Sequence, residues 1–268
     1  MQYNNPINYK GLIILKFIPL GVGGAFTSRF YHNNYIAEIG SKKLLLDAGT
    51  TLRTSLKEAG YSYLDIDAVW ISHLHSDHVG GLEELIFQRY WHFHNGTHQP
   101  IKTSILVHQT IYPLLRQLLY FPLENGGTTV DSFCDFTVVS DDEALDFEGL
   151  QLQIFDTSDT HIQGMASSGL SIRGPFSNVL YTSDVKNLQQ ANLLRFVNDQ
   201  TVAIFQDTSF TPNGAHAIFS EILAYYPKQL HSKIYAMHYN DQIENYLSDI
   251  EQAGMHYVKQ RETIVFNL

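Results

Sequence analysis

The stretch Ala68-Val69-Trp70-Ile71-Ser72-His73-Leu74-His75-Ser76-Asp77-His78-Val79-Gly80-Gly81 decides how this chain is read. Its first five residues form a short, β-prone apolar run that predicts a buried strand, and the next six place three histidines and a carboxylate in the loop that leaves it. In such a loop His73 and His75 can point the same way while Asp77 and His78 turn toward a second position. Four imidazole and carboxylate donors within six residues suit Zn²⁺ and related divalent ions, and two ions ~3.5–4 Å apart can act together in an in-line displacement.

Working outward, the chain has 268 residues, 17 Lys and Arg against 27 Asp and Glu, and a formal charge of −10. With 44% hydrophobic residues it can bury a sizeable core, and this excludes an intrinsically disordered chain. The acidic balance argues against a broad footprint on a nucleic-acid backbone. No apolar run approaches the ~18–20 residues of a membrane span, and the N-terminus shows no leader pattern, so a cytoplasmic protein is expected. The single cysteine, Cys134, excludes an internal disulfide and a thiolate metal site, and reads as a small buried hydrophobe. Thirteen histidines are the compositional anomaly, and those at 73, 75 and 78 are patterned.

No linker, repeat or low-complexity tract divides the chain, so one domain over 1–268 is expected. Strands are predicted at Leu12–Leu20, Tyr35–Ile39, Lys43–Asp47, Ala68–Ser72, Ile105–Val107, Phe136–Val139, Leu150–Phe155, Gly169–Ile172, Val179–Thr182, Val202–Gln206 and Lys233–Ala236. Helical spacing appears at Thr51–Ala59, Leu82–Tyr90, Ile111–Tyr120, His216–Tyr225 and Gln242–Gln252. Two strand-rich halves, each with helices, predict an α/β layered sandwich.

His73 to His78 with Gly80-Gly81 resembles the HxHxDH signature of the metallo-β-lactamase fold superfamily. Leu20-Gly21-Val22-Gly23-Gly24 and Leu45-Leu46-Asp47-Ala48-Gly49 are similar to that family's first strands. The resemblance implies an αββα four-layer sandwich in which Asp47 supports the metal loop without binding metal. It further implies that His73, His75 and His161 hold one divalent ion, that Asp77, His78 and His238 hold a second, and that Asp184 bridges them. Zn²⁺ is the expected metal, with Mn²⁺ the alternative, and Asp77 is also expected to orient the nucleophile.

A further segment, Asp207-Thr208-Ser209-Phe210 followed by His216, is similar to one in the transfer-RNA 3′ processing endonuclease and related phosphodiesterases. There the histidine contacts phosphate, which makes His216 a candidate general acid or phosphate clamp. The endonuclease's long basic arm is missing and the charge is −10, so a large nucleic-acid substrate is disfavoured. Together with the Gly164-Met165-Ala166-Ser167-Ser168-Gly169 loop, these features resemble the small phosphodiesterases that open cyclic nucleotides, in particular the phage-type anti-Pycsar proteins that degrade cyclic pyrimidine nucleotide signals. That resemblance implies 3′,5′-cyclic mononucleotide substrates such as cCMP and cUMP, a homodimer, and a place in the host cytoplasm if the gene is phage-borne. A transfer-RNA-type endonuclease and a thiolester or lactone hydrolase remain alternatives.

The run Phe87-Gln88-Arg89-Tyr90-Trp91-His92-Phe93-His94 has two open readings, a lid or dimer surface that stacks on a base, or an amphipathic helix with its aromatic face in the core. His32, His92, His94, His98, His108, His231 and His256 lack strand-end ligand spacing and are expected to be structural or solvated. Gly21, Gly23 and Gly24 are expected to serve a tight turn, since no Lys-Ser or Lys-Thr pair follows.

Overall fold

The computed structural model describes residues 11–268, and the N-terminal residues that bear on the absence of a leader lie outside that part. The first half of the chain supplies strands β1 (Ile14–Pro19), β2 (Tyr35–Ile39), β3 (Lys42–Leu46), β4 (Ala68–Ile71), β5 (Phe93–His94), β6 (Thr97–His98), β7 (Thr103–His108) and β8 (Cys134–Val139). The second half supplies β9 (Leu145–Phe147), β10 (Leu150–Asp156), β11 (Ser168–Arg173), β12 (Asn178–Tyr181), β13 (Thr201–Asp207), β14 (Ile234–Met237), β15 (His256–Tyr257) and β16 (Ile264–Asn267). Helices are α1 (Leu52–Glu58), α2 (Ser76–Val79), α3 (Leu82–Tyr90), α4 (Tyr112–Leu123), α5 (Val130–Phe133), α6 (Leu188–Ala191), α7 (Phe219–Tyr225) and α8 (Leu247–Gln252).

Two large sheets result, ordered β16-β1-β2-β3-β4-β7-β8 and β15-β14-β13-β12-β11-β10-β9. Near-continuous apolar strands require cover on both faces, and the two-residue period shows where each face goes. Leu15, Phe17, Tyr35, Leu44 and Trp70 face the second sheet, where they share one buried cluster with Leu152, Ile172, Tyr181 and Phe205. Ile18, Ile36, Leu45, Val69 and Ile105 point the other way, against Leu52, Leu56, Leu85 and Leu115 of the first-half helices. With α6, α7 and α8 on the second sheet, the order is helix, sheet, sheet, helix, which is the four-layer sandwich expected. Full burial of a large apolar side chain such as Phe205 contributes roughly 1.5–3 kcal/mol relative to exposure. No helix among the described residues is long and apolar enough to cross a membrane.

Parallel pairing runs from the middle of each sheet to one edge: β3, β4, β7 and β8 in one sheet and β12, β13, β14 and β15 in the other. Since β10 and β12 both run antiparallel to β11, they share a direction. The carboxyl ends of β10, β12, β13 and β14 therefore lie along one edge, and those of β3 and β4 along one edge of the facing sheet, where α/β folds carry ligand sites. Ser168 N donates to Ser72 O at 2.8 Å, which ties the two edges together.

Several local expectations change. The helix predicted from His216 starts only at Phe219, because Asn213 Oδ1 accepts from the amides of Ala215 and His216, and Glu221 caps the amide of Ile218. His216 is thus a loop residue. The helix predicted over Gln242–Gln252 is a 3₁₀ turn at Ile243–Tyr246 followed by α8. Strands β9, β15 and β16 carried no strong sequence pattern. Their pairing with stronger neighbours, such as β16 with β1, makes them strands. The aromatic run divides: Phe87 and Tyr90 pack on the core, whereas Trp91 and Phe93 are 54% and 58% exposed where the chain turns into the β5–β6 hairpin.

Candidate metal centre

The motif loop leaves β4, whose four residues are all buried, and its last residues wind into the single turn α2. Its shape is held by Asp47, a fully buried carboxylate at the end of β3. Asp47 Oδ1 accepts from Ser72 N at 2.8 Å, and Oδ2 accepts from Ser72 Oγ at 2.8 Å and from His78 Nδ1 at 2.7 Å. The support role implied for Asp47 is the role its contacts describe. Close approach of the two loops demands a residue without a side chain, since a Cβ at Gly49 would lie 2.0 Å from Asp77 O.

Three histidine nitrogens converge on one point. His73 Nε2 is 3.1 Å and His161 Nε2 is 3.2 Å from His75 Nδ1. Their tautomers are set from behind. Ser72 Oγ gives its proton to Asp47 and so accepts from His73 Nδ1 at 3.0 Å, while His161 Nδ1 donates to Ala215 O at 2.6 Å. Both Nε2 atoms therefore turn lone pairs inward, where imidazoles repel one another unless a cation lies between them. Burial pushes the basicity of His73 well down and lowers that of His75 and His161, so all three stay neutral donors.

A second group lies alongside. His238 Nε2 is 3.1 Å and His78 Nε2 is 3.3 Å from Asp77 Oδ2, and the two nitrogens are 3.3 Å apart. Asp184 stands between the groups, its Oδ2 lying 3.4 Å from both His78 and His238 and 3.9 and 3.8 Å from His73 and His161. Its Oδ1 is buried with no hydrogen-bond partner among the described residues, a state that costs a buried carboxylate dearly unless a cation completes it. Burial opposes charge on Asp184 and Asp77, but the facing histidines outweigh it and hold both carboxyls below their usual range. Burial likewise disfavours a charged His78, yet Asp184, Asp47 and Asp77 raise its basicity. Nitrogen and oxygen donors in this arrangement fit divalent metal binding. Asp47, Ser183 and His238 hold positive φ of 61°, 55° and 56°, sparsely populated conformations that aim these strand ends into the site.

All seven residues expected as ligands are thus brought together, and none falls elsewhere. Beside them is one group that sequence reasoning left unassigned. His216 Nδ1 lies 2.9 Å from Asp207 Oδ2 but 3.7 Å from Asp184 Oδ2, so its proton belongs to Asp207. Asp207 is in turn held by Gln206 Nε2 at 2.8 Å, and Gln206 Oε1 accepts from Tyr226 Oη at 2.8 Å. Burial works against a charged His216, but the bond to Asp207 and the field of Asp184 prevail and raise its pKa to about 9. The signal for Asp207 was the Asp207-Thr208-Ser209-Phe210 segment, which was read for His216 and assigned no role to the aspartate itself. The histidines at 98, 231 and 256 bond backbone carbonyls, which fits the structural role expected of them.

A cavity of about 160 Å³ opens beside His216 and His238. Larger depressions, of about 600 Å³ near Arg53 and Trp91 and about 660 Å³ near His256, hold none of the seven donors, so chemistry favours the small one.

Comparison with known proteins agrees with this geometry. Residues 15–264 match the family described as Anti-Pycsar protein Apyc1. The Anti-Pycsar protein Apyc1 of Paenibacillus xerothermodurans is 30% identical over 258 residues, covering 94% of this chain and 98% of that protein. Its counterpart in Paenibacillus harenae is 32% identical over 236 residues, covering 85% and 90%. Among solved structures, the metallo-beta-lactamase fold protein YhfI from Bacillus subtilis superposes with a TM-score of 0.73 at 16% identity, covering 94% of this chain and all of that one.

Proposed function

Since the chain belongs to the anti-Pycsar protein Apyc1 family, we propose that this metal-dependent hydrolase opens 3′,5′-cyclic mononucleotides such as cCMP and cUMP to linear nucleotides, and so removes immune signals of anti-phage defence. The observation that carries the reading is the pairing of seven converging donors with a proton-bearing His216 at the open side of the same site. Two divalent ions, Zn²⁺ or alternatively Mn²⁺, fit the two donor groups with Asp184 common to both. When bound, such ions activate water and neutralise charge on phosphoryl oxygens.

The residues themselves do the rest. Asp47, Ser72 and the Ala215 carbonyl lock the ligand tautomers. Asp77, beside His78 and His238, orients the attacking water. His216 holds one proton at Nδ1 against Asp207, which leaves the Nε2 proton to hydrogen-bond a phosphoryl oxygen and pass to the leaving ribose oxygen as the ring opens. In the metal-free protein a pKa of about 9 keeps both protons on the ring at neutral pH. The formal charge of −10 suits a small phosphodiester better than a long polyanion. The same reading makes the protein a homodimer of the cytoplasm, the host's if the gene is phage-borne.

The test is chromatography of products from 3′,5′-cyclic nucleotides, 2′,3′-cyclic nucleotides and a transfer-RNA precursor, with and without chelator. Chelator-sensitive opening of the 3′,5′-cyclic substrates is expected. Cleavage confined to RNA would make the chain a processing endonuclease, and no phosphodiester cleavage would direct the search to thiolesters and lactones.

A further inference from the structure

We propose that Phe26 is the stacking platform for the nucleobase, in a subsite formed by the Gly24–Thr27 turn and the segment after β14; this rests on the cyclic-nucleotide reading of the metal centre. Phe26 is 100% exposed, the extreme among the large apolar residues described. An isolated exposed phenylalanine is ordinary on a protein surface, but this one lies on the rim of the cavity that also holds His216 and His238. Its backbone is not loose. Thr27 N donates to Gly24 O at 3.3 Å and closes a turn, and Thr27 Oγ1 lies 3.1 Å from Gly24 O and 3.0 Å from Phe30 O. Beyond the turn, Asp241 accepts from the amides of Ser28 and Arg29, and Arg29 pairs with Glu244.

The turn is also in direct touch with the chemistry. Gly24 N donates to Tyr239 O at 3.2 Å, and a Cβ at residue 24 would lie 3.0 Å from His238 Cε1. Phe26, two residues on, is within about 7 Å of chain from that contact. The ring is thus carried on a pinned backbone at the rim of this cavity while covering nothing of the protein itself. Across the cavity, Asn240 Oδ1 accepts from Gln242 N at 3.1 Å, which orients the amide and leaves Nδ2 to donate to an acceptor on a base. At about 160 Å³ the space is below the ~300–1,000 Å³ of drug-sized pockets, and suits a single small heterocycle with its phosphate on the metal side. Stacking of a base on an aromatic side chain requires only a π face, so the platform selects for the presence of a base more than for its identity.

The experiment compares wild type, Phe26→Ala and Phe26→Trp. Steady-state kinetics are measured on cyclic UMP, on cyclic CMP and on a methyl riboside carrying the same 3′,5′-cyclic phosphate without a base, and calorimetry gives the Kd of the phosphorothioate analogue of cyclic UMP. Phe26→Ala is expected to raise KM and Kd for the nucleotides about 10-fold or more, with kcat far less affected, and to shrink the preference over the base-less ester by the same factor. Phe26→Trp is expected to restore the preference. Unchanged Kd and KM for the nucleotides in Phe26→Ala, or an equal rise for the base-less ester, would overturn the assignment while leaving the phosphodiesterase reading intact. If wild type binds the analogue through Phe26 but turns over no cyclic phosphodiester, the activity reading falls and the subsite stands; absence of binding by wild type overturns both.

Discussion

His216 Nδ1 lies 2.9 Å from Oδ2 of Asp207, a carboxylate with no solvent exposure at the end of β13. A buried anion at this distance fixes which nitrogen carries the inner proton and turns the other toward the cavity. Asp207 is itself held in place by Gln206 Nε2, whose own amide oxygen accepts from Tyr226 Oη.

In metal-free protein this pair dictates a titration. The pKa of His216, raised to about 9, lies above its unfolded value, so the folded state holds the proton more tightly. The stability it confers is full below about pH 6.5 and is lost as pH climbs through about 9. Asp207→Asn should bring the His216 resonance, followed by NMR in the metal-free protein, back down toward the ordinary histidine range. A midpoint unchanged in Asp207→Asn would show that Asp207 does not set it.

His216→Ala should lower kcat on cyclic nucleotides by ~10²-fold or more while metal content, measured by emission spectrometry, stays at the wild-type level. Loss of metal in this variant would turn His216 from a proton donor into a ligand.

Asp184→Asn removes the carboxylate common to both donor groups. Both metals should weaken together, and the melting temperature should become far less sensitive to added Zn²⁺ than in wild type. Loss of a single equivalent with the other bound at full affinity would contradict the shared position of Asp184.

Asp47→Asn leaves every ligand in place but withdraws the acceptor behind Ser72 and His78. Metal affinity should fall by ~10–100-fold, with turnover recovering at high metal concentration. A metal titration indistinguishable from wild type would show that the ligands hold their orientation unaided.

Cys134 is buried, and burial pushes its thiol up to about 12. A thiol reagent at pH 8 should leave the native protein unmodified over times in which the denatured chain reacts fully. Fast native labelling would mean that β8 opens readily.

Much of this protein was legible in its sequence because the signals were local. His73, His75, Asp77 and His78 sit within six residues after an apolar strand, and their type alone selects nitrogen- and oxygen-bound divalent ions. His161, Asp184 and His238 were reached only through resemblance, since a lone histidine or aspartate at a strand end carries little signal. The aromatic run after Phe87 was undecided because periodicity does not reveal where a helix stops. Arg89 Nη1 bonds the carbonyls of Tyr63 and Ile66, and the helix ends one residue later, which leaves Trp91 outside.

The sequence by itself determined the layered α/β architecture and the chemistry of the metal loop, because hydrophobic period and donor type are written residue by residue. Tertiary structure alone decided the rest: that Asp207 belongs to His216, that Ala215 O holds His161, and that the turn at Gly24 packs against His238. Each of these pairs residues that local sequence pattern does not connect, and only the folding of the strand ends onto one edge brings them together.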